Sequence, residues 1–249
     1  MATPAQTSPV VSSKKRAAGG AGKYFYFFMS LLMAAVVIYG FGHTVDQNLI
    51  HGNPPRPWLL WVHATLFSMW VAFFILQSSL VRTGNVRIHR TLGWFGAALA
   101  VAMTVVGFAT AIVMRRFDMQ FEPANVAGPA AFLIVPFFDI SAFTVFFWLA
   151  VNWRRKPEMH RRLMLIATCV LTSAAWGRMP NATFANVWFY SGVDALILLG
   201  VLRDFLVMKT VHRVYLYALP LLIVAQVFVM GTLLSSAPWW TRIAERILR

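Results

Sequence analysis

Cysteine is almost missing from this chain: Cys169 is the only one in 249 residues. A single thiol excludes an intramolecular disulfide and a cysteine-built metal cluster, and it leaves the redox compartment unread. Carboxylates are also scarce, with eight Asp and Glu against 22 Lys and Arg. They form no cluster at metal-ligand spacing, and neither a His-Glu-x-x-His motif nor a nucleophile–base arrangement is present. Charge of either sign is thin. Charged residues make up 12% of the chain, where soluble domains carry about 25%. That is too little polar surface to cover a globule in water.

What the sequence has instead is apolar length. It is 59% hydrophobic with a mean hydropathy of +0.65, so lipid is its solvent and one all-α membrane domain is the natural reading. The net charge of +14 does not point to nucleic acid. The basic residues fall in loops between apolar runs, where anionic lipid headgroups of the bilayer are their partners.

Residues 1–22 are small, polar and basic, including Lys14-Lys15-Arg16, and read as a disordered tail. Gly22-Lys23 precedes Tyr24 and no strand leads into it, so it is no phosphate-binding loop. Basic tail and apolar run together read as an uncleaved anchor. A helix needs about 20 apolar residues to cross the hydrocarbon. Seven stretches qualify: Tyr24–Gly42, Trp58–Val81, Leu92–Met114, Ala127–Val151, Leu163–Met179, Val187–Val207 and Val214–Leu234. The chain therefore divides into the tail, a seven-helix membrane bundle over 23–234, and a segment 235–249. That last segment, with Pro238-Trp239-Trp240 and alternating basic and apolar residues, reads as a short amphipathic helix lying in the interface.

Fifteen Lys and Arg fall on the side of the N-terminal tail, the 82–91 and 152–162 loops and the 203–213 region. Six fall on the other side, with Arg178 at a helix end. The positive-inside rule then places the N-terminus in the cytoplasm and the C-terminus outside.

Two short stretches organise the rest. His89-Arg-Thr-Leu-Gly-Trp94 and His160-Arg-Arg-Leu-Met164 each lie where a polar loop turns into an apolar helix. The spans on either side of each turn suggest a duplicated helical hairpin. His89 and His160 stand at similar depth, with Arg90 and Arg161 next to them in sequence. Neighbouring positive charge and the helix dipole favour neutral imidazole, which is what a metal or haem iron requires. The arginines suit haem propionates. The plainer alternative is that each His-Arg caps its turn or binds lipid phosphate.

A second set lies toward the opposite side. His63, Asp139, Arg178 and Asp194 are polar residues at membrane depth, each costly there. Arg178 and Asp194 reach similar depth, so an ion pair is expected. If His63 and Asp139 face the same interior, the four line a cavity for a small ligand or a quinone headgroup. His43 with His63 is a further candidate metal pair, and His51 between them reads as solvated. Arg203-Asp204 reads as a solvated cytoplasmic turn.

The two His-Arg stretches and the helices after them resemble a group of bacterial multipass membrane proteins of unknown function, over roughly Trp58 to Arg178. That resemblance implies location in a bacterial inner membrane. The chain is more distantly similar to the cytochrome b561 superfamily. There, histidines on the second and fourth and on the third and fifth helices hold two b-type haems in a four-helix core. The resemblance implies one haem site at His89 and His160. His63 matches one member of the other site, but the fourth span carries Asp139 and no histidine, so that site is broken unless His43 substitutes. Three functions follow as expectations: a haem-binding electron-transfer protein, a transporter or sensor with an outer cavity, or a scaffold without chemistry.

Overall fold

A computed structural model of the chain describes residues 11–121, 130–180 and 188–249, the first thirteen of them by backbone alone. Among the described residues every regular element is a helix. They are α1 (Val11–Gly42), α2 (Trp58–Arg82), α3 (Val86–Phe121), α4 (Ile134–Asn152), α5 (Pro157–Leu171), α6 (Ser173–Trp176), α7 (Phe189–Met208), α8 (Arg213–Leu234) and α9 (Pro238–Leu248). A π-turn at Asp46–Ile50 follows α1, and a 3-10 turn at Ala131–Leu133 leads into α4. Of the expected N-terminal tail, residues 1–10 lie outside the described residues, and 11–22 carry helical backbone continuous with the rest of α1.

Among the described residues five stretches are long and apolar enough to cross a membrane: Tyr24–Gly42, Trp58–Arg82, Val86–Phe121, Ala131–Asn152 and Arg213–Leu234. Two of the seven expected spans fall short for separate reasons. The fifth is interrupted at Thr172, between α5 and α6. There the Thr172 hydroxyl donates to the Cys169 carbonyl at 2.6 Å, competing with the helical ladder. The sixth, α7, is 20 residues long but holds Asp194, Arg203 and Asp204.

The two hairpins, α2 with α3 and α4 with α5, form the most extensive helix pairings. Gly84 turns the first with φ +85°, a left-handed conformation that a side chain would strain. Pro157 opens α5 at its first position, where its missing N–H costs nothing. α5 is the central helix, packed by α1, α4, α7 and α8, and its Leu165, Ile166, Ala167 and Cys169 have no exposed surface. Outer helices show the reverse pattern. Leu216, Tyr217, Leu221, Val224, Val227 and Phe228 of α8 all face outward, as a lipid-facing stripe must.

α6 is held by close backbone approach. A Cβ built on Gly40 of α1 would sit 2.3 Å from the Ala175 carbonyl oxygen. Gly40→Ala must therefore push two backbones apart, and we expect a loss of about 1–3 kcal/mol, read as a lowered denaturation midpoint in detergent. At the same end of the bundle, α9 docks on α3 and the 131–133 turn. Trp240 Nε1 donates to the Ala131 carbonyl at 2.9 Å, and Arg116 donates to the last carbonyls of α9, Ile247 and Leu248, at 3.0 Å each.

Candidate functional site

The two hairpins place His89 and His160 alike, each as the fourth residue of its helix, α3 and α5. Their rings meet edge to face, with centroids 6.2 Å apart and planes at 74°. The Nδ1 of His160 lies 2.8 Å from the Ala150 carbonyl oxygen. A carbonyl only accepts, so Nδ1 carries the proton and Nε2 keeps its lone pair. That backbone bond is the usual device for orienting a metal-ligating histidine. His89 Nδ1 is buried without a hydrogen-bond partner.

The pair suits a shared ion. Two imidazoles bound through one nitrogen each, at about 2 Å per bond, have centroids about 6 Å apart. Two imidazoles from separate helices are a donor set that could hold a metal or a haem iron. Arg90 beside it is exposed. Arg161 is already engaged: it donates to Glu158 and lies over the Tyr26 ring at 5.2 Å.

Beside the histidine pair stands a network, part of which the sequence reading placed in solvent. Arg203-Asp204 is no solvated turn. Asp204 has no exposed surface, and neither does Arg162. The guanidinium of Arg162 meets the Asp204 carboxylate in a two-pronged pair, Nε to Oδ2 and Nη2 to Oδ1, both at 2.7 Å. Its Nη1 donates to Glu158 Oε2 and to the Glu158 carbonyl, again at 2.7 Å. Arg203 donates to Asp204 Oδ1 at 2.9 Å. The pair ties α5 to α7 two residues from His160. A signal for it was present: Val193, Leu196, Ile197, Gly200 and Asp204 are all buried, at the three- and four-residue spacing of one helix face. Asp204 thus continues the core stripe of α7.

The second set of polar residues separates into distinct contacts. Asp139 accepts from the Ser173 hydroxyl at 2.6 Å and the Tyr190 hydroxyl at 3.0 Å. Asp194 accepts from Gln226 of α8 at 3.2 Å. Arg178 donates to the Ala174 carbonyl at 2.8 Å and lies over the Phe41 ring. The expected Arg178–Asp194 ion pair is not formed, because Asp194 turns toward α8. His63 stacks on Phe67 with centroids 4.0 Å apart, and its Nδ1 is buried without a partner. His43 is exposed and bonds the Tyr39 carbonyl of its own helix, so the His43–His63 pairing does not form. His51 is exposed and bonds Asp46 at 2.7 Å.

No family model, curated protein or solved structure matches the chain.

Proposed function

We propose that the chain is a seven-helix protein of a bacterial inner membrane that binds b-type haem between His89 and His160 and takes part in electron transfer. One observation carries the reading. Two histidines 71 residues apart in sequence come together at equivalent positions of two hairpins, with ring centroids 6.2 Å apart. In this reading α5 with α6, and α7, cross the bilayer alongside the five long apolar helices. The charge balance puts the histidine end in the cytoplasm and α9 outside.

Haem supplies a one-electron carrier when bound. The chain's own side chains do the rest. His89 and His160 would be the iron ligands, and the Ala150 carbonyl orients the His160 ring. Arg90, exposed beside His89, would be the guanidinium offered to a propionate, while Arg161 would have to leave Glu158 to serve the same role. The Arg162–Asp204 pair ties the start of α5, which carries His160, to α7.

Haemin titration of the detergent-purified chain tests this. Wild type should saturate with a narrow low-spin spectrum, and His89→Ala and His160→Ala should each fail to form it. A titration in which both variants behave as wild type would overturn the assignment.

A further inference from the structure

Asp139 lies in the body of α4 with 9% of its surface exposed. Its partners are two hydroxyls, Ser173 Oγ and Tyr190 OH; among the described residues no cation pairs with it. A carboxylate at membrane depth normally has a cation beside it, because an unpaired ionised carboxylate in hydrocarbon is costly. The neighbouring ionisable groups are committed elsewhere. Tyr190 is the one that touches Asp139 from α7; Asp194, one turn farther along the same helix, is bonded to Gln226. Arg178, beyond α6, lies over Phe41, and His63 of α2 stacks on Phe67. From α3 the facing groups are Gly107, against Ile140, and Thr104, bonded to Thr144, neither of them charged. Ser173 also follows directly on the interruption of the helix at Thr172. The carbonyls beside the break stay paired, Cys169 and Thr172 with following N–H groups and Ser173 with Gly177, so the side-chain oxygens are the groups this position offers.

We propose that Asp139, Ser173 and Tyr190 form a binding site for a small monovalent cation, either a proton or a sodium ion, in the half of the bundle away from the histidine pair. Ser173 stands thirteen residues beyond His160, about 20 Å along a helix, so the site is separate from the histidines and does not depend on haem. Asp139 supplies the charge. The Ser173 and Tyr190 hydroxyls donate to the carboxylate here; turned about, either can offer its oxygen to a cation or accept the hydrogen of a protonated carboxyl group.

The test is thermal denaturation of the full chain in detergent as a function of pH, in choline chloride and in sodium chloride, for wild type and Asp139→Asn. A site that is filled only in the folded state links stability to its ligand. In choline, wild type should lose stability as pH rises, and Asp139→Asn should lack that component of the loss. If sodium restores the wild-type midpoint at alkaline pH and does nothing to Asp139→Asn, the cation is sodium. If sodium has no effect, the site takes a proton, and the infrared spectrum of wild type should show a protonated carboxyl band that Asp139→Asn lacks. Identical pH and sodium dependence in the two proteins, with no such band, would overturn the proposal. Should Asp139→Asn fail to fold, Ser173→Ala and Tyr190→Phe serve in its place. Each should shift the pH dependence or the carboxyl band, and unchanged behaviour in both would overturn it equally.

Discussion

Asp204→Ala should destabilise the bundle by about 3–5 kcal/mol, the cost of stranding one partner of a buried ion pair. Arg162 is wholly enclosed, and Asp204 satisfies two prongs of its guanidinium. Glu158 is a weaker contributor although it lies equally close to Arg162. Its side chain is half exposed, so water replaces it readily, and Glu158→Ala should cost no more than about 1 kcal/mol. Arg162→Lys should not rescue the loss, because an ammonium cannot meet a carboxylate with a planar two-pronged fork. Denaturation midpoints of the three variants in one detergent check the ranking. Equal effects at Glu158 and Asp204 would show that burial does not set the strength of this network.

The second large effect concerns the histidines. His160→Ala should remove bis-imidazole haem binding entirely, and His89→Ala should do the same, since each supplies one of two ligands. The residues at the other end make the contrast. Asp194→Asn alters a contact with Gln226 on α8, on a different helix pair from α3 and α5, and should leave the spectrum unchanged. Asp204→Ala should lie between: haem remains, with altered potential and line shape, because α5 has lost its tie to α7 near His160. A reading based on an outer ligand cavity makes the opposite forecast, sensitivity to Asp194 and Arg178 with tolerance at His160. The division of those residues among separate partners gives that cavity no single floor.

Much of the architecture was legible in the chain because membrane solvent writes a strong signal. Five apolar runs map onto long helices, although α3 extends six and seven residues beyond the expected Leu92–Met114 and α1 begins at Val11, and both polar turns with His-Arg open helices as their composition implies. The interruption at Thr172 was not legible as such. Leu163–Met179 reads as one continuous apolar run, and only the competing hydroxyl bond of Thr172 reveals the break. Counting residues gave depth but not direction around a helix axis. It placed Arg178 and Asp194 level with each other, yet Asp194 faces α8 and Arg178 folds back on the Ala174 carbonyl. The same limit hid Asp204. Read beside Arg203 and Lys209 it looks solvated, while its spacing from Ile197 and Gly200 sends it into the core.

The most direct measurement is the reduced-minus-oxidised absorption spectrum of the detergent-purified protein, set beside His89→Ala and His160→Ala. A Soret band with sharp reduced α and β bands in wild type, missing from either variant, is the predicted result. A colourless protein that acquires no such bands with added haemin would contradict the central claim, and the histidine pair would then be a cap on two helix turns.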